Sequence, residues 1–186
     1  MNPIKNKKDL EATIDQIRSF AYSYLEKYSP SKQQLKTHLY KKLIKKKQKI
    51  SSKKEIFNLI DSVMSTLVEQ KLLSDKYYAE AKSKAFLKRG YSLNKIRYNL
   101  IKKGIDQKYI KASISKIEEN ESDPDFFSAI KICKRRRIGP SREENNRPIF
   151  YKKDISILAR SGFSYELSKK ILNIPKDEFI KFCKMI

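Results

Sequence analysis

"LKRGYSLNKIRYNLIKKGI", residues 87–105, sets helical periodicity and dense positive charge on one short frame. Gly90 can adopt the left-handed backbone that ends a helix, and the Ser92 hydroxyl can accept a free backbone N–H at the start of the next. From there Leu93, Ile96 and Leu100 recur at helical spacing, while Lys95, Arg97 and Lys102 fall largely outside that stripe. Gly104 then closes the helix. Asp106 can cap another, whose inward positions are Tyr109, Ile110, Ser113, Ile114 and Ile117. The reading is helix, helix, helix, joined by very short turns.

The same signals recur along the chain. A shift of 61 residues lays Ser31, Leu35 and Leu39 over Ser92, Ile96 and Leu100, and a shift of 58 lays Gly104, Ile105 and Asp106 over Gly162, Phe163 and Ser164. Repetition of cap and core spacing together predicts an all-α protein, an elongated, curved array of three tandem three-helix repeats. The expected divisions are 1–72, 73–120 and 121–186. The first holds helices near 10–28, 31–47 and 53–71. The second opens at Ser74 or Asp75, with Tyr78, Ala81 and Ala85 on the inner face of its first helix. The third opens at Asp123-Pro124, with Phe127, Ile130 and Cys133 inward and an exposed loop near 139–148, where "GPSREENNRP" has no apolar side chain.

Charge bounds the function. The 186 residues carry a formal net charge of +22, and self-repulsion of that size opposes compaction unless a polyanion offsets it. No acidic residue lies between Lys27 and Lys54, and this stretch holds Lys41, Lys42, Lys45, Lys46 and Lys47. A second basic cluster comprises Lys88, Arg89, Arg97, Lys102 and Lys103, and a third Lys134, Arg135, Arg136 and Arg137. Such clusters track a phosphate backbone, with a salt dependence of slope about −0.7 per phosphate for single strands and about −0.9 for duplex. Tyr40, Tyr91 and Tyr98 interleave with the lysines, where they can stack on unpaired bases or serve as half-buried core.

Other classes find little support. Two cysteines, Cys133 and Cys183, and one histidine, His38, stand far apart, so no common metal-ligand spacing exists, and no metal or other cofactor is expected. His38 reads as a surface or boundary residue of a basic helix. There is no glycine-rich phosphate loop, no nucleophile elbow and no acid cluster of a two-metal nuclease, so the chain is not expected to be an enzyme. No apolar run is long enough to span a membrane and the N-terminal stretch lacks a secretory pattern, which places the expected chain in the cytoplasm, as a monomer.

The middle of the chain resembles the RecX family, bacterial regulatory proteins that modulate the recombinase RecA. The resemblance rests on Leu73 and Asp75, Tyr78 and Ala79, Arg89 to Tyr91, Ile96 and Arg97, Leu100, and Lys103 to Ile105. "AYSYLEKYSPSKQQLKTHL" and "LARSGFSYELSKKIL" extend it toward both ends. One departure is Phe86, where the family commonly has an arginine. The resemblance implies three tandem three-helix repeats lodged in the groove of RecA filaments on single-stranded DNA, inhibiting recombinase and coprotease activity in DNA repair and the SOS response. The implied partners are the RecA filament, single-stranded DNA and secondarily double-stranded DNA, with no membrane. From the residues alone, a nonspecific nucleic-acid-binding helical repeat without a protein partner is the alternative.

Overall fold

The computed structural model describes residues 7–45 and 53–186 and is all-helical, with ten α-helices and two short 3-10 turns among these residues. Helices α1 (Lys7–Leu25), α2 (Lys32–Lys45) and α3 (Lys53–Glu69) are followed by α4 (Asp75–Lys88), α5 (Leu93–Ile101) and α6 (Gln107–Asn120). The C-terminal part holds α7 (Pro124–Arg136), the 3-10 turns Gly139–Ser141 and Glu144–Asn146, then α8 (Arg147–Arg160), α9 (Tyr165–Leu172) and α10 (Lys176–Lys184). The chain divides into two compact units, one of residues 1–78 with 103–105, the other of 79–102 with 106–186.

In the first unit α1, α2 and α3 pack pairwise. Leu35, Leu39 and Leu43 form the inner stripe of α2 and meet Ile17 and Ala21 of α1 and Ile56, Ile60, Val63 and Leu67 of α3. Each of the fully buried aliphatic side chains contributes about 1.5–3 kcal/mol relative to exposure. The α2 N-terminus is a reciprocal capping box: Gln34 N–H donates to Ser31 Oγ (3.2 Å) and Ser31 N–H donates to Gln34 Oε1 (3.1 Å). Ser31 Oγ also donates to the Lys103 carbonyl at 2.7 Å. The Lys32 N–H is taken by the Asp75 carboxylate at 2.8 Å.

The second unit has its core where α7, α8, α9 and α10 meet, built on Ile130, Ile132, Cys133, Leu158, Ile171, Leu172 and Phe179. Asp123, at φ 113°, caps α7 by accepting the Phe126 N–H at 3.1 Å, with Pro124 in the first turn. Ser92 caps α5, Asp106 caps α6 and Ser164 caps α9, each through its side-chain oxygen. These are the caps the sequence points to.

The repeat signals have structural counterparts. Gly104 and Gly162, the paired glycines of the 58-residue shift, both hold positive φ (72° and 94°), and each lies against the start of an earlier helix. A Cβ on Gly104 would stand 2.7 Å from Gln33 Cβ, and one on Gly162 would collide with Ser92 Oγ and stand 2.7 Å from Lys95 Cβ. Helix α10 is a tenth helix, beyond the nine that three three-helix repeats would supply.

Two expectations need correction, the inner face of α4 and the exposure of 139–148. Ala81 and Ala85 of α4 are exposed; the buried positions are Asp75, Tyr78, Ala79, Ser83 and Leu87. Alanine marks no face by itself, and the larger Tyr78 and Leu87 choose the rotation. Phe127, expected to face inward, is partly buried and packs against the core beside the fully enclosed Ile130 and Cys133. The segment 139–148 is exposed mainly over 143–146 and at Pro148, whereas Gly139 and Pro140 are buried. Here polar side chains do the anchoring: buried Asp154 of α8 accepts the Gly139 N–H (2.8 Å) and two donors from the Arg142 guanidinium (2.8 and 2.9 Å). Arg147 adds bonds to the Pro140 and Ile174 carbonyls.

Candidate functional site

Helix α5 and its C-cap carry a basic surface in the second unit. Its buried stripe, Leu93, Ile96 and Leu100, fixes the rotation, which leaves Tyr98 on the outer face, 49% exposed. Lys102 Nζ stands 4.6 Å above the Tyr98 ring and Lys95 Nζ 5.5 Å from it. The Lys102 ammonium, by hydrogen bond and by charge, lowers the phenol's pKa below its ordinary value, with a smaller contribution from Lys95. An exposed aromatic ring with two cations beside it suits a phosphate strand whose bases are unpaired.

The other expected contacts of this cluster separate into free and engaged groups. Lys88 ends α4 exposed, and Arg89 is exposed in the turn that follows. Gly90 packs against α7 at φ 77°, which turns the chain directly after these two cations. Arg97 is half-buried; its guanidinium donates to Asn94 Oδ1 at 3.0 Å and lies 3.8 Å from the Glu118 carboxylate. Part of its charge is therefore already answered within the protein. Lys103 is exposed and belongs to the first unit.

On α7, Lys134 donates to the Cys183 carbonyl at 3.1 Å, while Arg135, Arg136 and Arg137 are exposed. Arg137 takes left-handed backbone (φ 53°) as the C-cap, so the run of arginines turns with the end of the helix. Cys133 and Cys183 are free thiols; burial pushes the Cys133 thiol up to about 12. Among the described residues no group of three His, Cys, Asp or Glu side chains is placed to hold a metal ion. No helix among them is long and apolar enough to cross a membrane.

In the first unit Lys41 and Lys42 are exposed on α2, and Lys42 Nζ lies 5.6 Å from the Phe20 ring. Lys45 is the last residue of α2, with its side chain outside the description, and Lys46 and Lys47 lie outside the described residues. Lys36 is drawn away from any ligand by Asp61, 2.6 Å distant. The tyrosines also divide. Tyr40 stacks on Phe57 at 4.8 Å and Tyr91 on Phe86 at 5.7 Å, so each has an aromatic neighbour on one face, whereas Tyr98 stands out among lysines.

Sequence reasoning missed a second aromatic feature, between α1 and α2. Tyr24 lies between His38 (ring centroids 4.0 Å, stacked) and Tyr28 (4.9 Å, tilted). The four-residue spacing of Tyr24 and Tyr28 was the available signal. Their meeting with His38 required knowing how α1 and α2 cross.

No family model matches the chain. It is 27% identical over 165 residues to the regulatory protein RecX of Myxococcus xanthus, covering 84% of each. It is 28% identical to that of Clostridioides difficile, over 69% of this chain and 58% of the relative. The crystal structure of RecX from Lactobacillus salivarius superposes with a TM-score of 0.58 at 19% identity, over 95% of this chain and 99% of the other. The chain resembles the RecX regulatory proteins in sequence and in fold. A second RecX crystal structure matches with a TM-score of 0.56, over 91% of this chain and 78% of the other. Against the RecX-like pattern, Phe86 stands where an arginine is expected, and it serves as a packing partner of Tyr91.

Proposed function

We propose that this protein is a regulator that binds RecA nucleoprotein filaments and lowers their recombinase and coprotease activity, thereby restraining DNA repair by recombination and the SOS response. The observation that carries the reading is the exposed Tyr98 ring with the half-buried Lys95 and the exposed Lys102 over it, in the stretch where the RecX-like pattern is densest and where Lys88 and Arg89 are also exposed. A filament offers DNA phosphate and protein surface together, and cations outside internal ion pairs can meet both. The reading is of a binding protein acting in the cytoplasm, without a cofactor and without catalysis of its own. Arg97 is better suited to holding α5 against α6 through Glu118 than to reaching a ligand.

The test is binding to preformed filaments by wild type and by an Arg89→Glu, Lys102→Glu double variant. Both residues are exposed, so thermal unfolding should be unchanged while affinity falls about tenfold or more at moderate salt. Unaltered affinity would remove this surface from the interface. The net charge of +22 also favours a second reading, a nonspecific nucleic-acid coat; equal affinity for protein-free DNA and for filaments would select it.

A further inference from the structure

The aromatic series between α1 and α2 has properties that core packing does not require. Three rings stand in sequence, His38, Tyr24 and Tyr28, and the outermost, Tyr28, is 58% exposed. They line a groove of ≈ 590 Å³ whose other walls include Phe20, Lys27 and Lys42. Lys27 and Lys42 are exposed cations, and no acidic residue occurs from Lys27 through the whole of α2. The nearest acid in sequence, Glu26, is exposed and is not among the residues lining the groove.

An open aromatic face flanked by ammonium groups has a definite chemical preference. Water solvates the face poorly, so a flat apolar surface gains by covering it, and the lysines favour a ligand that brings negative charge beside that surface. An unpaired nucleobase on its phosphodiester strand has both properties. Bases of a duplex are already stacked on one another, and an acidic peptide would use the lysines but leave the rings unmatched. Burial, reinforced by the Lys42 charge, lowers the His38 pKa, which keeps the inner ring a neutral stacking surface near neutral pH.

We propose that the His38–Tyr24–Tyr28 series is a base-stacking site for single-stranded nucleic acid, with Tyr28 as the ring that meets the base and Lys27 and Lys42 as its phosphate contacts. The site rests on the reading that the protein engages nucleic acid within its complex. It adds a second point of contact, in the first unit, independent of the Tyr98 surface. It also gives this unit a means of distinguishing a displaced or unpaired strand from duplex.

The experiment measures the affinity of the full chain for an end-labelled oligothymidylate and for a duplex of equal length at fixed salt. Tyr28→Ala should weaken oligothymidylate binding about fivefold or more, the loss of one stacked base, while Tyr28→Phe stays within about twofold of wild type. Neither variant should alter duplex affinity. Tyr28→Trp gives a chain with a single tryptophan, since the native sequence has none, and its emission should be quenched on saturation with the oligonucleotide. Unchanged emission, unchanged oligothymidylate affinity in Tyr28→Ala, or an equal loss on duplex would overturn the stacking site alone. Wild type that binds neither nucleic acid would overturn the underlying reading with it. Polyglutamate that competes as well as oligothymidylate would reduce the groove to a charge surface and overturn the site.

Discussion

The Asp125 carboxylate of α7 accepts the Leu93 N–H, the first amide of α5, at 2.7 Å. Asp75 does the same for Lys32, the first amide of α2, at 2.8 Å. In both cases an acid near the start of one helix meets the positive end of another that is distant in sequence, beside a serine that caps that same end. The contact recurs at the two helix starts that the 61-residue shift pairs, Ser31–Lys32 and Ser92–Leu93. It joins local capping to packing within each unit.

Asp125→Ala should therefore cost about 1–2 kcal/mol in chemical unfolding, the usual range for a lost helix cap, and Asp125→Asn less, because an amide oxygen can still accept the Leu93 N–H. Burial, opposed in part by that hydrogen bond, raises the Asp125 pKa above its ordinary value. A carboxyl with a raised folded pKa favours the fold fully below its unfolded pKa, and that contribution is lost as pH rises through the folded pKa. The Asn variant should accordingly gain on wild type as pH increases from about 3 to 7. An Asn variant as unstable as Ala at every pH would contradict this role.

Gly162→Ala tests the close approach of the α8–α9 turn to α5. The residue sits at φ 94° and an added Cβ would press on Ser92 and Lys95. Left-handed strain and overpacking together should cost at least about 2 kcal/mol, read from the denaturant midpoint. A loss below about 0.5 kcal/mol would show that the turn relaxes freely.

Arg142→Ala leaves Asp154, 1% exposed, with the Gly139 N–H but without its guanidinium partner. A buried charge stripped of its counter-ion costs about 3–5 kcal/mol, so this variant should unfold at markedly lower denaturant. Glu144→Ala, in the exposed part of the same segment, should change stability by no more than about 0.5 kcal/mol. Similar small losses in both would mean that the segment is the simple exposed loop its composition suggests.

His38 is the sole histidine, so its ring protons titrate without overlap in proton NMR. Desolvation first and the Lys42 charge second lower its pKa from 6.5, in surroundings that also include Tyr24 and Tyr28 of α1 and its junction, and Lys27. With a depressed folded pKa, its contribution to stability is intact above the unfolded pKa and is lost as pH falls toward and through the folded one. A measured pKa above 6.5 would contradict the packed, cation-flanked ring.

The helices were legible because caps and stripes coincide: Ser92 with Leu93, Ile96 and Leu100, Asp106 with Ile110 and Ile114, Asp123 with Pro124. Each signal is local, and burial then selects the same face that the spacing marks. Where side chains are small or polar the sequence is silent, as at Ala81 and Ala85, or over 139–142, where Asp154 supplies from α8 what apolar packing supplies elsewhere. The basic clusters were legible as charge but not as availability. Arg97, Lys36 and Lys134 are answered by Glu118, Asp61 and the Cys183 carbonyl, partners 21 to 49 residues away in the sequence. The His38–Tyr24–Tyr28 series was hidden for the same reason, since only the crossing of α1 and α2 brings its members together.

Action on the filament itself is read most directly from the DNA-dependent ATPase rate of preformed RecA filaments titrated with this protein at near-physiological salt. A regulator that acts on the filament should abolish activity at well below one molecule per RecA monomer. Loss only when the protein is in excess over DNA binding sites, or no loss at all, would contradict such action.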